Sequence, residues 1–167
     1  MSIMRRQIRE TSEHLDDPYI EGVEYHDPTR CPVCGAVYNK KRWQFIDEKD
    51  IKLSNDNDYI AEAKCPACRK IEDHYTMGIV ELSGKFIPLH KDEAMNLIKN
   101  EEEKEMGKNP LGRIIGIEDK MDKIYIETTN EALALRLGRA LFKTFKGSIE
   151  YKFSENQKLV RVLWRRD

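Results

Sequence analysis

No stretch of this 167-residue chain approaches the roughly 18 uninterrupted apolar residues that a membrane-spanning helix requires. The opening stretch, MSIMRRQIRE, lacks the apolar segment of a secretory signal, so the expectation is a cytoplasmic protein with no membrane partner. There is no G-x-x-x-x-G-K-[ST], no G-x-G-x-x-G, no H-E-x-x-H and no G-x-S-x-G. Those absences remove the phosphate-cradling loop, the dinucleotide fingerprint, the zinc-peptidase helix and the nucleophile elbow. Acidic side chains are abundant, but none falls in a recognisable catalytic constellation, and the expectation is a non-enzymatic protein without a small-molecule substrate. Internal repeats and low-complexity tracts are absent. So is the aromatic ribonucleoprotein signature, which argues against base-specific RNA reading.

Cysteine is scarce too, and the scarcity is informative. The chain has four, in two identically spaced pairs, Cys31-x2-Cys34 and Cys65-x2-Cys68, each with proline after the first thiol. In a reducing cytosol such pairs suit metal ligation better than disulfides. A thiolate pair two residues apart grips one ion from a tight turn, and two such turns complete the tetrahedron that zinc prefers. The intervening 30 residues exceed the spacer of roughly 15 to 20 common in structural zinc modules. Doubling a loop costs only about 0.6 kcal/mol, whereas structural zinc returns on the order of 10 to 16 kcal/mol, so the long spacer does not defeat the assignment. A redox pair would use one C-x-x-C at a helix start, while both pairs here have strand-like flanks; iron–sulfur spacings differ; catalytic zinc needs an open coordination position. The expectation is one structural Zn2+ held by Cys31, Cys34, Cys65 and Cys68. His26 and His74 lie near the pairs and are read as ordinary polar histidines, and His14 and His90 are given no role.

The fold class expected is α+β: a zinc ribbon, meaning a small antiparallel sheet with two cysteine knuckles, followed by a ββαββ module and joined to it by an acidic helix. Residues 1–30 show no sustained apolar period and read as a flexible arm. Residues 31–90 read as the zinc ribbon, with YTMGIVELSGKFIPL as two strands joined at Ser83-Gly84. Residues 91–110 form the connector: Ala94, Leu97 and Ile98 have helical spacing, and beyond Ile98 the charge density predicts a helix projecting into water. Residues 111–167 give the ββαββ order, with GRIIGI, KIYIETT, SIEYKF and KLVRVLWRR as strands. Its helix, NEALALRLGRALFKTFKG, is capped by Asn130 or Thr129 and stopped at Gly147. Close approach of that helix to a strand is the expected reason for Gly138 on its apolar side.

The formal charge of −1 conceals an asymmetry. Residues 47–110 hold 10 basic and 15 acidic side chains, and residues 111–167 hold 12 and 8. A basic final third suits an anionic partner. Candidate RNA-binding residues are Lys40, Lys41 and Arg42 beside Trp43, with Trp43 itself expected to face the small core. On the last helix, Arg136, Arg139, Lys143 and Lys146 gather in a stripe opposite the apolar side. In the closing hairpin, Arg161 and Arg165, with Arg166 beyond, stand on the face away from Val160, Val162 and Trp164.

Four segments, CPVCGAVYNKKRW, CPACRKIEDHYTMGIVELSG, LHKDEAMNLIKNEE and IYIETTNEALALRLGRALFKTFKGSIEYKFSE, follow one another from Cys31 toward Asp167. In this order they resemble the zinc-binding region of the nonsense-mediated-decay protein three family, the adapter of the large ribosomal subunit, and most of all its short bacterial members. The resemblance implies a zinc ribbon followed by an α/β module that docks on the large subunit through RNA and protein contacts, without catalysis. It carries the ligand role to Cys31, Cys34, Cys65 and Cys68. Export-type members have a further cysteine cluster ahead of these pairs; residues 1–30 here contain none, so nuclear export is not expected. The partner expected is ribosomal RNA or the large ribosomal subunit. The alternative is a protein partner met by the ribbon and the acidic helix.

Overall fold

Short runs of apolar residues around the first cysteine pair can build only short strands, and the computed structural model, which describes residues 17–154 and 158–167, shows a first sheet made of fragments. β1 (Thr29–Arg30), β2 (Val37–Asn39), β3 (Arg42–Gln44) and β4 (Ala61–Glu62) lie in the order β3-β2-β1-β4. The sheet is mixed, which corrects the antiparallel expectation: β1 and β4 pair in parallel. A parallel pair needs a long crossover, and the spacer between the cysteine pairs supplies it. The second pair then opens a helix, α1 (Pro66–Asp73), where strand-like flanks were expected. Pro66 at its first position and Cys65 as its N-cap start the helix, and left-handed His74 ends it.

The second sheet contains β5 (Gly78–Ser83), β6 (Ile114–Lys120), β7 (Lys123–Thr128), β8 (Ser148–Phe153) and β9 (Val160–Arg165), in the order β6-β7-β5-β9-β8. The expected ββαββ order is present, but its two hairpins do not meet. β5 lies between them, antiparallel to β7 and parallel to β9. The strand expected inside the cysteine module is therefore the centre of the other sheet. Its alternation explains why: Gly78, Val80 and Leu82 are buried toward the helices, while Ile79, Glu81 and Ser83 face the other way. The expected second strand of that segment begins a helix instead. Gly84 (φ +102°) turns the chain where a Cβ would overlap the Arg166 carbonyl, and α2 (Phe86–Lys108) follows, kinked at His90. Burial of Phe86 against Trp164 and Phe145 outweighs the β-propensity of KFIPL.

α2 and α3 (Glu131–Phe145) both cover the same face of the sheet. Val80, Leu82, Ile124, Ile126, Val160, Val162 and Trp164 meet Ile87, Ala94 and Ile98 of α2 and Leu133, Leu137 and Leu141 of α3. The projecting connector is thus corrected: beyond Ile98, the Glu101 and Glu105 side chains are only 13% exposed, because Arg136 of α3 bonds both. Asn130 caps α3 by accepting from the Leu133 amide at 2.9 Å. A Cβ on Gly138 would stand 2.5 Å from Val162 Cγ1, so the expected close approach of helix and strand is real.

The arm expected over residues 1–30 is corrected in its second part, its first 16 residues lying outside those described. Asp17 is buried, the Tyr19 carbonyl accepts from Arg69, and Thr29–Arg30 form β1. These contacts are single polar and aromatic anchors with no periodicity. Lys70 of α1, 1% exposed, donates through Nζ to Asp17 Oδ2 at 2.6 Å and to the Thr129 carbonyl at 2.9 Å. That contact ties the N-terminal segment, the cysteine helix and the start of α3 together. Among the described residues no helix is long and apolar enough to cross a membrane.

Candidate metal centre

Backbone geometry brings four sulfurs to one point. At the first pair the Cys31 amide donates to the Ala36 carbonyl at 2.8 Å and the Gly35 amide to the Cys31 carbonyl at 3.0 Å. Gly35, at φ +80°, closes this turn in a conformation that side chains resist, and the Ala36 amide then points at Cys34 Sγ at 3.5 Å. At the second pair the Cys68 amide points at Cys65 Sγ at 3.4 Å, and the N-terminus of α1 favours negative charge there. The ligand atoms of Cys31, Cys34, Cys65 and Cys68 all lie within 4.8 Å of one another.

The donor set fits a metal ion such as zinc. A tetrahedron with metal–sulfur distances of about 2.3 Å has edges of about 3.8 Å, and the Cys34–Cys65 sulfurs are 3.7 Å apart. Cys31 and Cys65 are fully buried and Cys68 nearly so. The hydrogen bond from Cys65 holds the Cys34 thiol down at about 4, while that same contact, with burial, pushes Cys65 up. Burial likewise pushes Cys68 up to about 11. Crowded, buried sulfurs of this kind lose their protons when a divalent cation arrives and supplies the opposing charge. An ion here would fasten the turn after β1 to the start of α1, with no coordination position left open for chemistry.

Neither nearby histidine joins the cluster. His26 stacks on Tyr59 and bonds its carbonyl at 3.0 Å, and exposed His74 pairs with Glu127. Trp43 is buried as expected, in a trio with Tyr25 and Tyr38 whose ring centroids are 5.1 to 5.5 Å apart.

The ten expected RNA-binding cations do not form one surface. Lys40, Lys41 and Arg42 stand exposed at the tip of the β2–β3 hairpin, whose other end follows the first cysteine turn. Arg139, Lys143 and Lys146 are exposed along α3 and at its end. Arg166 reaches that end by donating to the Phe145 carbonyl at 2.8 Å, and its guanidinium lies 4.5 Å from the centre of the Phe86 ring. Arg165 is tied to Asp167. Arg161 is exposed on the sheet face opposite the helices. Arg136 departs from its expected open stripe: only 21% exposed, it bonds Glu101 at 2.7 Å and Glu105 at 3.2 Å. α3 starts at the Lys70 junction and has 15 residues, so the cations at its far end lie about 22 Å along the helix from the cysteine side.

Sequence reading missed how the hairpin tip is held. Lys40 (φ 54°) and Lys41 (φ 62°) occupy a two-residue turn needing positive φ at both positions, where Asn-Gly is favoured. Each left-handed residue costs roughly 1–2 kcal/mol. The Asp27 carboxylate secures the turn by accepting from the Lys40 amide at 3.1 Å and the Lys41 amide at 3.0 Å. Asp27 lies 13 residues away with no local motif to mark it, so only the folded chain reveals it. No family model, curated protein or solved structure matches the chain.

Proposed function

We propose that this is a cytoplasmic, non-enzymatic zinc-ribbon protein that binds ribosomal RNA or the large ribosomal subunit. The observation that carries the reading is the set of three adjacent cations displayed at the tip of a hairpin whose base borders a four-cysteine cluster. A metal ion such as zinc at that cluster gives the hairpin a rigid base, and cations on a rigid base can neutralise phosphates without losing much freedom on binding. The exposed cations of α3 and the excess of basic residues after residue 110 extend the positive surface. The resemblance of the four quoted segments to the adapter family supplies the large subunit as the partner.

Co-sedimentation through a sucrose gradient tests it. Tagged protein should travel with large subunits at low salt, dissociate steeply as salt rises, and contain one zinc per chain by elemental analysis. Reversal of Arg139, Lys143 and Lys146 to Glu should weaken the association and flatten its salt dependence, since each lost phosphate contact removes about 0.7 to 0.9 of a unit of slope. Co-sedimentation that survives both nuclease and high salt would instead assign the contact to protein.

A further inference from the structure

Between the small sheet and the end of α2 lies a groove of about 570 Å³. One wall presents the Tyr25, Tyr38 and Trp43 trio and continues to Phe45, which is 44% exposed; the other is the turn from Lys108 to Leu111. Lys41 and Arg42 stand at its rim. Of the described residues that line it, none is acidic, in a chain with 30 acids. The volume falls in the range of roughly 300–1,000 Å³ typical of sites that enclose a small organic group. Aromatic walls with cations at one edge and no carboxylate in the lining suit a planar base attached to a phosphate, and the Asp27 carboxylate behind that edge is engaged by the Lys40 and Lys41 amides.

The strained turn points the same way. Lys40 and Lys41 hold left-handed backbone with positive φ where glycine or asparagine would sit without strain, and Asp27 keeps them there. The conformation fixes the direction of the hairpin tip at the groove's mouth. Across the groove, Lys108 ends α2, and its charge offsets the negative end of that helix, so the walls are not hostile to an anion.

We infer that this groove takes one unstacked nucleotide of a single-stranded RNA, with the base against Phe45 and the edge of the aromatic trio and its phosphate at Lys41 and Arg42. Bases stacked inside a duplex do not present a face to such a cleft, so single strands are selected over helices. The inference rests on the RNA-binding reading above and gives it a location. It also places the contact on the cysteine side of the molecule, away from the cations at the end of α3.

Fluorescence anisotropy with a labelled single-stranded oligouridine and a duplex RNA of equal length tests it. The zinc-loaded full chain should prefer the single strand. Phe45→Ala, at an exposed position belonging to neither core, should weaken that binding ~5-fold or more while leaving circular dichroism unchanged. Arg42→Glu should weaken it further and lower the salt slope by about 0.7 for each phosphate lost, whereas Lys99→Glu, the same charge change on the exposed side of α2, should not. Equal binding of both variants and wild type overturns the inference. So does equal preference for duplex, or competition by free uridine monophosphate as effective as by the strand. Wild-type protein that travels with large subunits but ignores the oligouridine overturns the groove alone; the converse result overturns the subunit reading and leaves the groove standing.

Discussion

Three of the six buried residues clustered around the first sheet are cysteines, whereas 16 buried residues fill the core of the second sheet and none is a cysteine. The strands differ in proportion: two or three residues each in the first sheet, six or seven in the second. Apolar burial contributes about 25 cal/mol per Å², so the second sheet can be stabilised by its own core, while the first has too little apolar surface to offset the entropy of ordering its loops. Four sulfurs stand where the missing core would be. The RNA contacts proposed above divide along the same line. The first sheet presents a strained cationic hairpin and one wall of an aromatic groove, features that an ion at the four cysteines would help to hold in place.

Metal removal is the strongest way to break this comparison. Stringent chelation, or Cys65→Ser, should withdraw stabilisation on the order of 10 kcal/mol from the first sheet alone. Amide hydrogen exchange should show Cys31, Ala36 and Tyr38 falling to the rate of open chain while Val80, Ile126 and Val162 keep their protection. Uptake of zinc should release protons, because buried sulfurs such as Cys68 hold theirs above neutrality until the ion binds. Simultaneous loss of protection in both sheets would mean one cooperative unit and no division of labour.

The two regions also differed in how far their sequences could be read. Cys31, Cys34, Cys65 and Cys68 announce a cluster through spacing alone, because two-residue separation is a property of the local turn. The α3 pattern is equally local: Leu133, Leu137 and Leu141 recur at helical period, and Gly138 marks the contact with Val162. What stayed hidden depends on residues far apart in the chain. KFIPL has strand-like composition, and only Phe145 and Trp164, brought from the other end, turn it into the start of α2. EEEKE looks like a solvated helix face until Arg136 is set against it. β5 alternates like any strand, and nothing in GIVELS says which sheet it enters. The parallel pairing of β1 with β4 is likewise settled by a crossover and not by either strand's own residues.

A smaller effect sharpens the comparison at the seam between the two regions. Lys70→Met should leave the carboxylate of Asp17 buried without its partner and the Thr129 carbonyl without its donor, at a cost of about 3–5 kcal/mol. The double variant Lys70→Met, Asp17→Leu should recover most of that loss, because an apolar pair of similar volume needs no solvation. Burial holds the Lys70 pKa below the ordinary lysine value, outweighing the hydrogen bond to Asp17 that raises it. Between the folded and unfolded values the unfolded chain binds more protons, so wild-type stability should rise with pH there and the double variant's should not. Urea midpoints across alkaline pH read this difference. A single variant as stable as wild type would show that the seam is held by something other than this ion pair.

The smallest effect separates Arg136 from the exposed cations with which its position in the sequence groups it. Its two bonds to Glu101 and Glu105 lie in partly buried surroundings, and Arg136→Ala should cost about 1–2 kcal/mol. Burial works to raise the Glu101 pKa, but the hydrogen bond from Arg136, together with the charges of Lys104 and Arg136, outweighs it and the net displacement is downward. A lowered carboxyl contributes stability above its unfolded pKa and loses it as pH falls through the folded value. The wild type should therefore exceed the variant at neutral pH, and the two should converge in the acid limb, where Glu101 is protonated in both. Zinc content and oligouridine affinity should stay at wild-type levels, since Arg136 faces α2 and lies outside the groove. A variant that melts like wild type but binds the oligonucleotide poorly would return Arg136 to the RNA-facing role that its place in the α3 stripe predicts.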